Sequence, residues 1–295
     1  CHVSTNNTPL SNQIERNMRD LAMLERATFP HPQHTRIIAV ANQKGGVGKT
    51  TSAVNLAAGL AMGGLSVLVV DADAQGNASS ALGVPHPVGT PSTYDVIIGG
   101  ASVADVVQPC ADIDGIVVCP ATIDLSGAEI ELVDVERREY RLREALREYV
   151  SEHVDIDIVL IDCPPSLGLV TLNVMVAADE VMIPIQAEYY ALEGLSQLWN
   201  TVERIGVDLN PGLRVSGMLL TMADKRTKLS EEVESEVRSH FPDHTFETVI
   251  PRSVRISEAP SYGQTVVTYD PRNVGAIAYR KAALELCHRV AASEE

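Results

Sequence analysis

Gln43-Lys44-Gly45-Gly46-Val47-Gly48-Lys49-Thr50-Thr51 stands between two stretches of different character. Before it runs the apolar Ile37-Ile38-Ala39-Val40-Ala41, and after it Ala53-Val54-Asn55-Leu56-Ala57-Ala58-Gly59-Leu60-Ala61 reads as a helix. Strand, glycine-rich turn and helix form the context in which a phosphate-binding loop has physical meaning. Glycines at 45, 46 and 48 let the backbone turn tightly and aim successive N–H groups at one anion. The N-terminus of the following helix adds its partial positive charge. Lys49 can then reach the β- and γ-phosphates of a nucleotide, and the Thr50 hydroxyl can ligate Mg²⁺.

The usual spacing of such loops, G-x-x-x-x-G-K-[ST], needs glycine at position 43, where this chain has Gln43. The loop instead begins with a second lysine, Lys44. This K-G-G-x-G-K-[ST] form resembles the deviant Walker A family of ParA, MinD and the nitrogenase iron protein. The resemblance implies that Lys44 reaches across a nucleotide-sandwich dimer to the partner's phosphates.

Further strands point the same way. Residues 65–70 read as a buried strand that ends in Asp71-Ala72-Asp73-Ala74-Gln75-Gly76-Asn77, and residues 116–119 as the next. Residues 156–162 end in Asp162 and fit a Walker B strand, whose acid holds Mg²⁺ directly or through water. Continuous apolar strands separated by helices predict an α/β P-loop NTPase fold, a mostly parallel twisted sheet with helices on both faces. Ligands of such sheets collect at the carboxyl ends of strands, where Asp71, Asp73 and Asp162 all lie, so both Asp71 and Asp73 are expected to face the phosphates and the metal. Pro164-Pro165 and Gly168 suit a switch segment that senses the γ-phosphate. No glutamate follows Asp162, so Asp73 is expected to position the attacking water.

The remainder is less specific. Residues 181–186 and 213–220 read as strands, and residues 133–150 as one charged helix with a solvated face of i,i+4 pairs. Residues 1–35 read as an arm, with a helical pattern from Ser11 to Thr28 broken by Pro30 and Pro32. The expected division is an arm at 1–35 and an ATPase domain at 36–295. No apolar run approaches the roughly 20 residues of a membrane-spanning helix, and no signal peptide is visible. Cys1 would suit a processed lipoprotein, but a nucleotide site of intracellular type follows, and a numbering boundary explains it better. The five cysteines show no CxxC spacing, which suits a reducing cytosol.

The formal net charge of −16 excludes a generally basic nucleic-acid binder. Between Thr221 and Lys281, however, nine Lys/Arg balance nine Asp/Glu, so any DNA contact must be a local patch on an acidic body.

Together, ANQKGGVGKTT, DADAQGNASSALG, LIDCPPSLGLVTLN, PIQAEYYALEGL and PRSVRISEAPSYGQ resemble ParA/Soj-type chromosome-partitioning ATPases, with the actinobacterial chromosomal type nearest. The similarity runs from about Arg36 to Val290. It implies an ATP-dependent homodimer that binds Mg²⁺ and ATP or ADP. Lys49 and the backbone from Gly45 through Gly46, Val47, Gly48 and Thr50 to Thr51 would hold the phosphates, and Thr50 the metal. Asp73 would align water, and Asp162 would support the metal. Pro251 and Ser253 match positions used around the nucleotide base, although many relatives have asparagine at 253. Arg226 and Arg255 match arginines that bind double-stranded DNA without sequence preference. Hydrolysis, stimulated by a ParB-type partner, would release the DNA; a polar scaffold protein is a further partner class. The implied location is cytoplasmic and nucleoid-associated, with no membrane.

A MinD-like membrane ATPase is the alternative. It needs a C-terminal helix with basic and bulky apolar faces, whereas this chain ends Ala291-Ala292-Ser293-Glu294-Glu295. An iron–sulfur carrier is disfavoured by the cysteine positions, and a plasmid-type repressor by an arm too short for a helix-turn-helix.

Overall fold

Three of the apolar runs form the centre of one sheet. They are β1 (Arg36–Val40), β2 (Val67–Asp71) and β5 (Ile158–Asp162), and every residue in each is buried. The computed structural model describes residues 9–188, 191–224 and 226–291. Cys1, Tyr189, Tyr190, Lys225 and the residues after 291 lie outside that set. The remaining strands are β3 (Gln108–Pro109), β4 (Ile116–Cys119), β6 (Glu180–Gln186) and β7 (Arg214–Thr221), giving the order β3-β4-β2-β5-β1-β6-β7. Neighbours run parallel except β3, which is antiparallel to β4 at the edge.

The helices in chain order are α1 (Pro9–Arg26), α2 (Lys49–Met62), α3 (Asn77–Ala81), α4 (Val103–Val106), α5 (Ala128–Glu131) and α6 (Arg141–Glu152). They continue with α7 (Leu169–Ala177), α8 (Ala191–Asp208), α9 (Lys228–His240), α10 (Val254–Glu258), α11 (Val266–Tyr269) and α12 (Val274–Ala291). Because side chains alternate along a strand, each central strand feeds two cores. Ile37, Ala39, Leu68, Val70, Val159 and Ile161 pack with Leu142, Leu146, Val174 and Leu198 of α6, α7 and α8. Ile38, Val40, Val67, Val69, Ile158 and Leu160 pack with Leu56 and Leu60 of α2 and with Tyr279 and Leu286 of α12. The expected α/β sheet covered on both faces is what the chain forms.

Register brings the acids together. Asp162 is the partner of Val40 on β1 and of Asp71 on β2, so both aspartates and the start of the glycine loop lie at one level. That level is the carboxyl edge of the parallel sheet, where ligands of doubly wound folds bind.

The structure departs from the expectations in two places. The antiparallel strand β3 was not foreseen; two residues ending in Pro109 carry no periodic signal. The charged helix begins at Arg141, not at 133. Short 3₁₀ turns precede it, and Arg137 sits at φ 55, a left-handed conformation that breaks any helix. Nor do its arginines mainly form i,i+4 pairs on a solvated face. Arg138 donates to the Val133 carbonyl, Arg141 to the Ile97 carbonyl at 3.0 Å, and Arg147 pairs with Asp179. They tie separate elements together.

The N-terminal segment packs on the domain. Leu24 and Phe29 are 2% and 3% exposed, Lys281 of α12 pairs with Asp20 of α1, and Phe29 fills the space beside Gly63. Helix α12 is itself a core helix, with Ile277, Tyr279, Ala282, Ala283 and Leu286 all buried. Its described apolar residues are therefore consumed by packing. No helix among the described residues is long and apolar enough to cross a membrane.

Candidate nucleotide and metal site

The turn from β1 into α2 has the shape its glycines predict. Gly46 and Gly48 take φ of 75 and 86, a region closed to most side chains. A Cβ at Gly45 or Gly46 would meet nothing within 4 Å, so the concave side of the loop is open. Gly48 caps α2 without any side-chain hydrogen bond, which leaves the N–H groups of the first turn directed at the loop's mouth. The base of the loop is rigid. Asn42 donates to the Pro184 carbonyl at 2.8 Å and accepts from Lys44 N at 3.0 Å, and the Thr221 hydroxyl donates to the Val47 carbonyl at 2.8 Å. Val47 is buried, and Thr50 and Thr51 are half-buried.

The two lysines differ in kind. Lys49 is 7% exposed and its Nζ donates to the Lys44 carbonyl at 3.2 Å, inside the loop. Burial lowers its pKa, and the nearby acids Asp162 and Asp73 only partly oppose that. Lys44 is exposed, and its ammonium pairs with Glu188 at 2.9 Å; Glu188 is also held by Gln186. An exposed pair of this sort is worth under about 1 kcal/mol, so Lys44 is readily released.

The three acids also divide. Asp71 is fully buried and accepts from Ser79 N at 2.8 Å, Ser79 Oγ at 2.7 Å and Asp73 N at 3.2 Å. Its carboxylate is thus occupied in fixing the turn into α3, and the expectation that it faces the phosphates is corrected. Asp73 is half-buried and accepts one backbone bond, from Gln75 N at 3.0 Å. Asp162 is fully buried, and among the described residues neither carboxylate oxygen meets a partner in good hydrogen-bond geometry, although the Thr50 hydroxyl lies close enough to interact with it. Desolvation first, and then the charge of Asp71, raises its pKa well above the usual carboxylate range; Thr50 and Lys49 are near enough to oppose the shift.

A buried carboxylate without a partner is costly unless something else compensates it. Here Asp162 stands beside the Thr50 hydroxyl and the open glycine loop: the oxygens would suit a hydrated divalent cation, and the loop's N–H groups would suit phosphate. The protein ligands on offer, the Thr50 hydroxyl and the Asp162 and Asp73 carboxylates, are all oxygens. Oxygen donors suit a hard cation that keeps water and phosphate in its remaining positions. The residues fit Mg²⁺ and a nucleoside triphosphate.

On the other side of the loop the chain from β7 meets residues 251–253. Ala223 and Pro251 form a parallel bridge, and Arg252 N donates to the Ala223 carbonyl at 3.0 Å. Met222 adopts φ 53 at this joint, an uncommon conformation for a side chain of its size. A Cβ on Gly48 would lie 3.6 Å from Met222, which puts the joint against the phosphate loop. Pro251 is thereby tied to the segment that follows Met222, and the Ser253 hydroxyl lies 3.0 Å from Asn273 Oδ1. Arg226 and Arg255 follow the same joint. Arg226 forks onto Asp224 at 2.9 and 2.7 Å; Arg255 pairs with Glu258 at 3.0 Å and lies 3.7 Å from Asp270. Both guanidinium groups are exposed.

Sequence reasoning missed Asn42 as the anchor of the loop and Glu188 as the partner of Lys44. Neither has a local signal. Asn42 reaches a carbonyl on β6, and Glu188 meets Lys44 across 144 residues of sequence.

Comparison with known proteins agrees with this geometry. An AAA domain family model matches residues 35–215. The chain is 50% identical over 254 residues to the chromosome partitioning protein ParA of Caulobacter vibrioides, covering 86% of this chain and 94% of that protein. It is 51% identical over 258 residues to the sporulation initiation inhibitor protein Soj of Bacillus subtilis, covering 88% and 99%. Among solved structures, cobyrinic acid a,c-diamide synthase from Mycobacterium smegmatis, with bound ATP analogue and magnesium, superposes with a TM-score of 0.70. It is 36% identical, covering 84% of this chain and 93% of that one. A phosphate cradle, a buried lysine, a Walker B aspartate and this similarity over most of its length coincide, and the chain belongs to the ParA/Soj family of chromosome-partitioning ATPases.

Proposed function

We infer that this chain is a Mg²⁺-dependent ATP switch whose ATP-bound homodimer holds double-stranded DNA without sequence preference and releases it on hydrolysis. The observation that carries this reading is the uncompensated carboxylate of Asp162 beside Thr50 and Lys49 at the rim of the open glycine loop. Lys49 and the backbone of Gly45, Gly46, Val47, Gly48, Thr50 and Thr51 hold the phosphates. Thr50 and Asp162, with Asp73 at the edge, hold the metal or its waters. When bound, Mg²⁺ neutralises charge on the phosphates. Asp73, half-buried and with a single local hydrogen bond, orients the attacking water. Pro251 and Ser253 border the nucleotide base.

Lys44 is the residue suited to act on a second subunit. It is exposed at the mouth of the loop and is paired there with Glu188. Arg226 and Arg255 supply the DNA contacts, and their acidic partners must yield to phosphate. At 87% and 52% exposure those arginines lose little on exchange. Two per subunit become four in a dimer, so dimerisation gates DNA binding through multivalency rather than through a large basic surface. Residues 1–35 remain an accessory segment beside the ATPase domain. A ParB-type protein is the partner class that stimulates hydrolysis, and the cytoplasmic nucleoid is the implied location.

The test is sedimentation or gel shift with random duplex DNA in ATP, in ADP and without nucleotide. Binding should require ATP and vanish in Arg255→Glu. Four phosphate contacts also predict a log–log salt slope of about −3.6, a loss of roughly 150-fold between 50 and 200 mM salt. A slope near zero, or equal binding in ADP, would refute the gating. ATP-dependent binding to liposomes without DNA binding would favour the MinD-like alternative.

A further inference from the structure

The segment between Asp162 and α7 is held at its far end by an acid from elsewhere in the chain. Glu129, on the short helix α5, accepts hydrogen bonds from Leu169 N at 2.6 Å and Val170 N at 3.2 Å. These are the first two residues of α7, so the carboxylate satisfies amide groups that a helix start leaves orphaned, and its charge opposes the positive end of the helix. The residue that would ordinarily cap α7 is Gly168, which has no side chain to do so. Glu129 supplies the cap from 40 residues away.

Gly168 shows why glycine is there. Its φ of −89 and ψ of −167 are extended backbone open to any residue, so conformation does not demand glycine. Space does. A Cβ at 168 would lie 2.2 Å from Glu129 Oε1 and 2.4 Å from its carboxyl carbon. The missing side chain is the room in which the carboxylate sits.

The near end of the segment is fixed as well, since Cys163 N donates to the Val40 carbonyl at 3.3 Å, directly before the phosphate loop. Pro165, Ser166 and Leu167 between the two anchors are exposed, and Leu167 borders a groove of about 460 Å³ between α7 and α8. We propose that Glu129 is a positioning residue for the ATPase reaction: it clamps the start of α7 so that residues 163–168 are held in register with the phosphate loop. The inference rests on the reading of residues 163–168 as a nucleotide-responsive segment. Glu129 touches neither substrate nor metal and acts only through the α7 amides.

Hydrogen exchange of the full chain, with and without nucleotide, separates the two ideas. Without nucleotide, Glu129→Ala should lower protection of the Leu169 and Val170 amides about tenfold, the usual scale of a lost cap. Gly168→Ala should do the same by expelling the carboxylate, and the double variant should lose no more than either single change. Glu129→Gln keeps one acceptor oxygen and should fall between. At saturating ATP, kcat should drop about fivefold in Glu129→Ala with KM for ATP unchanged, because the phosphate loop is untouched.

Unaltered amide protection in Glu129→Ala, or effects of the two substitutions that multiply, would overturn the clamp. A parallel rise in KM would also count against it, since that would mean general damage to the site. If wild-type residues 163–168 exchange equally in ADP and in a non-hydrolysable ATP analogue, the switch reading fails while the cap itself can still be measured.

Discussion

A Lys49→Ala chain is expected to hydrolyse ATP about 10²- to 10³-fold more slowly than the wild type, the usual cost of removing one preorganised charged donor from a phosphoryl-transfer site. The size of the effect follows from burial. Lys49 is 7% exposed and already sits within the loop, with its ammonium on the Lys44 carbonyl. It is therefore placed before substrate arrives, and a desolvated charge beside phosphate is worth far more than one in water. Burial also lowers its pKa in the nucleotide-free chain, so its removal should cost that state little stability. Arginine should not rescue it, because a planar fork does not fit a site shaped for a point charge. Single-turnover release of phosphate at saturating Mg²⁺ and ATP measures this. A variant within tenfold of wild type would show that the loop binds phosphate mainly through its backbone. Lys44→Ala gives the contrast. Its side chain is exposed and paired with Glu188, so nucleotide affinity of the monomer should be preserved while dimer-dependent hydrolysis falls.

Asp162→Asn should change sign with ligand. Without nucleotide or metal, the substitution removes a buried carboxyl whose charged form is disfavoured by desolvation, and the chain should gain about 1 kcal/mol or more. With Mg²⁺ and ADP at about 100 times the wild-type Kd, the wild type gains about 2.7 kcal/mol by linkage and the variant much less. The order of stability therefore reverses, and hydrolysis should drop by about 10²-fold as metal support is lost. Urea midpoints in EDTA and in Mg·ADP test both halves. An Asp162→Asn chain less stable than wild type in EDTA would mean that the carboxylate is compensated in solution and that this argument for a cation fails. The same experiment on Asp71→Asn should show loss in both conditions, because Asp71 accepts three hydrogen bonds on two oxygens and an amide keeps only one of them.

The sheet and the phosphate loop were legible because each rests on short-range physics. The cores of β1, β2 and β5 are apolar without interruption, which a doubly covered parallel strand explains, and the glycines at 46 and 48 occupy the left-handed region that only their residue type enters easily. Asp162 could be placed at a strand end from sequence for the same reason. The errors fell where local pattern misleads. The run of charges from 136 to 148 has helical spacing, but a left-handed Arg137 breaks it, and its arginines are spent on carbonyls and acids of other elements.

Partnership was what the linear chain could not show. Asp71 and Asp73 look equivalent in DADAQGN, yet Ser79 claims the first and leaves the second available. Lys44 and Lys49 lie five residues apart, but one is exposed on Glu188 and the other is buried. Glu129 carries no motif, and only the meeting of α5 with the start of α7 turns it into a cap. Backbone conformation and burial follow from residue type within a few positions, which is why the fold and the loop could be read from the chain alone. The Asp71–Ser79 pairing spans only eight residues, but the cap on α7 and the partner of Lys44 come from groups brought together across 40 and 144 residues, and those were decided by tertiary packing alone.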